Sequence, residues 1–101
     1  VPTILREIPP SEIQAVQITD DALTFDLFDG RSISVPPTFY PTLMLATREE
    51  REHFEKTGSS VHWPALDCDI NSEALLRGAK EASGYARRAY AHAEERRRPA
   101  A

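Results

Sequence analysis

Leu23-Thr24-Phe25-Asp26-Leu27-Phe28-Asp29-Gly30-Arg31-Ser32-Ile33-Ser34-Val35 is the stretch on which the fold turns. Apolar and polar residues alternate from Ala22 to Phe28, which places Leu23, Phe25 and Leu27 on one face of a half-buried strand, and a second alternation runs from Arg31 to Val35. A two-residue Asp29-Gly30 loop would set Phe25 against Ser34 and Leu27 against Ser32, bringing serines onto the buried face. A three-residue loop of Phe28, Asp29 and Gly30 sets Phe25 opposite Ile33 and Leu23 opposite Val35, with Gly30 at the left-handed position of a bulged turn. The second register keeps one face apolar and is the one expected. A Cβ at position 30 is then penalised.

Upstream, Ala15-Val16-Gln17-Ile18-Thr19 alternates in the same way and Asp20-Asp21 forms a short polar turn, completing a three-stranded antiparallel meander. Val1 to Ser11 holds Pro2, Pro9 and Pro10 and reads as an extended N-terminal segment. Downstream, Pro36-Pro37 ends the third strand. Thr38 to Ala46 carries Phe39, Tyr40, Leu43 and Met44 at helical spacing, with Pro41 in the first turn. Thr47-Arg48-Glu49-Glu50 is a capping box, so a second short helix is expected from Arg48 to Lys56, with Phe54 inward and Thr57-Gly58 as its stop.

The segment Val61 to Ile70 reads as extended, because Pro64 excludes helix and Leu66, Cys68 and Ile70 alternate against Asp67 and Asp69. Asn71 then caps a helix containing Ala74, Leu75 and Leu76, which Gly78 ends. Ala79, Ala82, Ala86, Ala89 and Ala93 keep helical spacing beyond it, predicting a C-terminal helix from Lys80 to Arg96 with Gly84 as its weak point. The expected fold is α+β: a small antiparallel three-stranded meander packed with short helices, a body over residues 1–78 and a helical extension over 79–101.

Composition narrows the function classes. The 101 residues suit one domain, and 41% hydrophobic with 28% charged residues marks a globular chain. The longest apolar run, Leu43-Met44-Leu45-Ala46, is far too short to span a bilayer, and no signal-peptide pattern opens the sequence, so a cytoplasmic protein is expected. A single cysteine, Cys68, permits neither an internal disulfide nor a multi-cysteine zinc site. Residues 1–78 carry a net charge of −7 and residues 79–101 one of +3. The acidic body disfavours nucleic-acid phosphates, leaving only a local basic contact through the tail.

The ordered series Asp29-Gly30-Arg31-Ser32-Ile33-Ser34-Val35-Pro36, Tyr40-Pro41-Thr42-Leu43, Ala46-Thr47-Arg48-Glu49-Glu50-Arg51, His62-Trp63-Pro64-Ala65-Leu66-Asp67-Cys68-Asp69-Ile70 and Leu75-Leu76-Arg77-Gly78 resembles a bacterial family, domain-of-unknown-function family 2442, over about residues 12–78. The resemblance implies a small α+β domain without an established enzymatic activity. It also implies association with toxin-antitoxin-like gene pairs and a partner from domain-of-unknown-function family 4160.

Candidate chemistry is sparse. His62, Asp67 and Asp69, with His53 near them, are the one cluster with metal-ligand or acid/base character, as a metal-dependent hydrolase would need; the same carboxylates also suit helix capping and turns, Asp69 best of all. Cys68, alternating with Leu66 and Ile70, reads as a buried small hydrophobe rather than a thiol nucleophile. Trp63 beside Pro64 reads as a core residue pinning the extended segment. The motif positions expected to be structural are Gly30, His62, Trp63, Pro64, Asp67, Asp69 and Gly78; no cofactor, metal or catalytic set is expected. In the tail, Tyr85, Arg87, Arg88 and Tyr90, followed by Arg96, Arg97 and Arg98, form the candidate partner-binding surface, interrupted by Glu94 and Glu95. The leading expectation is a non-catalytic, antitoxin-like interaction module that binds a small protein, with a homodimer also compatible. Regulatory nucleic-acid contact through the basic tail is the alternative.

Overall fold

A computed structural model describes residues 11–97; of the extended segment expected over Val1 to Ser11, residues 1–10 lie outside the described residues, as does Arg98. Six strands and four α-helices follow in the order β1 (Ile13–Ile18), β2 (Leu23–Leu27), β3 (Ser32–Val35), α1 (Pro41–Met44), α2 (Arg48–Glu52), β4 (Glu55–Thr57), β5 (Ser60–Trp63), β6 (Cys68–Asn71), α3 (Ser72–Leu76) and α4 (Ser83–Arg97). The class is α+β as expected. The strands form two antiparallel three-stranded sheets, β1-β2-β3 and β4-β5-β6.

The first sheet has the register that the side-chain pattern selects: Phe25 pairs with Ile33 and Leu23 with Val35. Gly30 sits at φ +94° and donates its N–H to Leu27 O (3.1 Å), while Leu27 N–H bonds Arg31 O, so three residues lie in the loop. Leu23, Phe25 and Leu27 are all buried. β1 begins two residues earlier than expected because a bulge sets Ile13 opposite Leu27 and Ala15 opposite Asp26, leaving Gln14 as the extra residue. The bulge changes the parity of the strand. Ile13 thereby reaches the core alongside Val16 and Ile18, and the Gln14 carbonyl accepts from Lys56 Nζ at 2.6 Å.

The second sheet corrects two expectations. The helix starting at Arg48 has its full capping box, with Thr47 Oγ1 accepting from Glu50 N–H and Glu50 Oε1 accepting from Thr47 N–H, yet it ends at Glu52 rather than Lys56. Glu55-Lys56-Thr57 instead pairs with His62-Val61-Ser60 across a Gly58-Ser59 turn with φ +59° at Gly58. Helical propensity loses here to strand pairing and to Phe54, which turns inward onto Trp63 with ring centroids 5.8 Å apart. The segment from Val61 to Ile70 is likewise not one strand. Pro64 starts a 3-10 turn over Pro64–Leu66, and Asp67 closes it in the left-handed region at φ 51°, reversing the chain so that β6 folds back on β5.

One core joins the sheets. Leu23, Phe25 and Leu27 of the first meet Val61, Trp63, Cys68 and Ile70 of the second, closed by Tyr40, Leu43 and Leu75 from the helical segments. Trp63 is fully buried and donates its indole N–H to Arg51 O at 3.0 Å. Ser72, also fully buried, donates its hydroxyl to Ser11 O and ties the start of α3 to the start of β1. α3 is capped by Asn71, whose Oδ1 accepts from Glu73 and Ala74 N–H, and not by Asp69. It ends in a Schellman motif: Gly78 (φ +82°) donates to Leu75 O and Ala79 to Ala74 O.

Candidate functional site

The C-terminal helix carries the exposed Tyr85 and Tyr90 together with a run of charged side chains, and a hollow lies beneath it. The approach to α4 is fixed first. Glu81 N–H bonds Phe39 O, Glu81 Oε1 accepts from Thr42 N–H at 2.9 Å, and Tyr40 donates its hydroxyl to Ala79 O at 3.2 Å. Helix proper then begins at Ser83 rather than Lys80, and Gly84, in its first turn, does not break it. α4 packs on α1 through the stripe Ala86, Ala89 and Ala93, of which Ala93 is the one buried residue. Small residues let the two helices approach closely, but they contribute little apolar area each.

Ion pairs complete the attachment. Arg88 Nη2 lies 3.5 Å from Asp67 Oδ2, and its guanidinium stacks over the Tyr85 ring at 5.0 Å. Arg96 donates to Leu45 O at 2.7 Å and lies 3.8 Å from Glu50 Oε1. Between these two contacts runs a groove of about 310 Å³, floored by Leu45, Ala46, Ala65, Leu66 and Ala89, with Arg88, His92 and Arg96 along the α4 wall.

The sequence-derived tail residues are thus not one face. Tyr85 and Arg88 form a cluster against Asp67, whereas Arg87 and Tyr90, which lie at other angles around a helix of 3.6 residues per turn, point away from that cluster. Tyr85 and Tyr90 are 45% and 51% exposed, on either side of the alanine stripe. Of the tail arginines, Arg88 and Arg96 are engaged with the body and Arg97 pairs with Glu94 at 3.9 Å. That engagement lowers the positive charge available to a polyphosphate.

The metal-like cluster comes apart. His62 and Asp69 face each other across β5 and β6, with Nδ1–H donating to Asp69 Oδ1 at 2.7 Å. Asp67 does not join them, because its left-handed turn carries it out of the strand and towards Arg88; the shared strand face that the metal-binding reading of Asp67 and Asp69 requires is absent for that reason, and Asp67 serves the turn instead. His53 bonds Glu49 O at the end of α2. Among the described residues no group of three His, Cys, Asp or Glu side chains is placed to hold a metal. Cys68 points the other way, into the core, where burial pushes its thiol up to about 12 and the nearby carboxylates of Glu81, Asp69 and Asp67 add to the effect. A thiol held so firmly protonated is a packing residue.

Arg51 was not anticipated. Its side chain, 11% exposed, donates from Nε to Leu43 O (2.9 Å), from Nη2 to Met44 O (2.7 Å) and from Nη1 to Asp20 (2.9 Å), so it satisfies the carbonyl end of α1. Sequence offers no signal for it beyond its place in a short charged helix. The groove wall, in contrast, was available as the spacing of Arg88, His92 and Arg96 at i, i+4 and i+8.

Among the described residues no helix is long and apolar enough to cross a membrane. No curated protein matches the chain. Two solved structures share the fold. A crystal structure of a protein of unknown function from Rhodospirillum rubrum superposes with a TM-score of 0.61 at 20% identity, covering 74% of this chain and 95% of that one. The solution NMR structure of an uncharacterized protein from Chromobacterium violaceum gives 0.61 at 21% identity, covering 76% and 74%. The family model described as "Protein of unknown function (DUF2442)" matches residues 13–81, from the first residue of β1 to the strap that precedes α4, and the chain belongs to that family.

Proposed function

We propose that the protein is a non-catalytic, cytoplasmic interaction module, an antitoxin-like component that masks a small partner protein through the outward surface of α4. One observation carries the reading: a fifteen-residue helix buries a single side chain while holding Tyr85 and Tyr90 about half exposed. Tyrosine and arginine are the side chains most enriched where proteins meet, because they offer large contact area with a polar tip at modest entropic cost. Arg87 stands beside Tyr90, away from the Tyr85–Arg88 cluster, and makes no ion pair among the described residues, while the Glu94–Arg97 pair supplies a mixed-charge rim. The family resemblance, rather than the surface itself, points to a small protein resembling domain-of-unknown-function family 4160 as that partner.

The test is a chain that ends at Ala82, produced in the native host beside the full chain. This end point keeps the Tyr40–Ala79 and Thr42–Glu81 contacts, so Trp63 remains a buried reporter of the body. The expected result is a folded body from which the partner is lost. Partner recovery equal to that of the full chain refutes the assignment to α4.

A further inference from the structure

We propose that the groove beneath α4 is a binding site for a small organic carboxylate. This inference is independent of the partner assigned to the helix's outer surface. Its α4 wall sets two guanidinium groups and an imidazole one helical turn apart, Arg88, His92 and Arg96, facing a floor of Leu45, Ala46, Ala65 and Leu66. Arg96 is anchored by donating to Leu45 O at 2.7 Å and Arg88 by its stack on Tyr85, but neither is held tightly by an anion already present. Charge-assisted N–H···O bonds close to about 2.7–2.9 Å, whereas Asp67 stands 3.5 Å from Arg88 and Glu50 stands 3.8 Å from Arg96. Glu50 Oε1 is committed elsewhere, accepting from Thr47 N–H at 2.8 Å in the capping box. His92 has no hydrogen-bond partner among the described residues.

The chemistry of the ligand follows from the walls. The apolar floor suits a carbon body, and the planar fork of Arg88, with the His92 ring one turn further on, suits a carboxylate. Glu50 and Asp67 at the two ends oppose a multiply charged anion, which disfavours phosphate. A volume of about 310 Å³ admits a small molecule and little more.

The experiment is a titration of the isotopically labelled full chain with sodium benzoate, followed through backbone amide shifts, with sodium chloride and inorganic phosphate at matched ionic strength. Saturable shifts are expected at Ala46, Leu66, Ala89 and His92 with benzoate alone. Arg88→Gln should weaken binding about tenfold or more. Arg48→Gln, an exposed arginine at the start of α2 outside the groove, should not alter it. Shifts that do not saturate, that map away from the groove, or that phosphate reproduces overturn the proposal. So does unchanged affinity in Arg88→Gln. The wild-type shift map carries the test even where a variant loosens α4.

Discussion

Replacing Arg51 with methionine removes the guanidinium that closes α1 while keeping an apolar stem of similar length. Two carbonyls, Leu43 O and Met44 O, lose donors at 2.9 and 2.7 Å, and the side chain is 11% exposed, so solvent replaces those bonds incompletely. Hydrogen bonds to charged groups contribute about 1.5–3 kcal/mol each. Partial rehydration of the helix end brings the expected loss for the pair to about 2–4 kcal/mol, a large fraction of the stability of a domain this size. The third contact is worth little, because Asp20 is 91% exposed. Urea unfolding followed by the fluorescence of Trp63, the one tryptophan, measures the effect. With an m-value of about 1–1.5 kcal/mol/M the midpoint should fall by roughly 2 M in Arg51→Met and by less than ~0.5 M in Asp20→Asn. Arg51→Lys should lie between, since an ammonium cannot reproduce the fork. A methionine variant within about 0.5 kcal/mol of wild type, or an Asp20→Asn variant as damaged as it, refutes the reasoning.

Two glycines test backbone conformation against space. A Cβ added at either Gly30 or Gly84 would meet no atom within 4 Å, but Gly30 lies at φ +94° and Gly84 is helical. Gly30→Ala should therefore destabilise by about 1–2 kcal/mol and Gly84→Ala should stabilise by about 0.5 kcal/mol, read from thermal or urea midpoints; shifts of the same sign would contradict the conformational account. Cys68 gives a pH dependence of defined sign. Its folded thiol is raised from about 9 to about 12, so the unfolded chain loses the proton first and stability falls as pH rises through that window, by about 1.4 kcal/mol for each unit above 9. Burial also raises the Tyr40 phenol and adds in the same direction at higher pH. Cys68→Ala should flatten the decline between pH 9 and 11, and equal slopes in the two proteins would show that the thiol is not its source. In native protein Cys68 should resist thiol reagents at pH 8 and react fully once unfolded.

What the sequence discloses depends on whether an element carries its own side-chain signal or takes its shape from what it pairs with. The β2–β3 register, the left-handed Gly30, the Thr47–Glu50 box, the Asn71 cap and the Gly78 terminus are each marked by a side-chain alternation or by a turn or cap residue, and each reads correctly. β4 does not, because Glu55-Lys56-Thr57 has no apolar face and becomes a strand only through its hairpin partner. The Gln14 bulge was hidden for a related reason: it is recognisable only once Ile13 and Val16 are known to share the core. At the site, the alternation of Asp67 and Asp69 suggested a common face, and a single left-handed residue undid it. Arg51 and the groove wall are products of packing between segments far apart in the chain, so composition and spacing name the residues without naming what they face.

The central functional claim is that the outer surface of α4 binds another protein. It is tested most directly by purifying the tagged full chain from its native host at moderate salt, with and without nuclease, beside a Tyr85→Ala/Tyr90→Ala variant. Mass spectrometry of the co-purifying species should show a stoichiometric small protein that survives nuclease with the wild type and is lost with the variant. Recovery of the same protein by the variant, of nuclease-sensitive material alone, or of the chain by itself would contradict the claim.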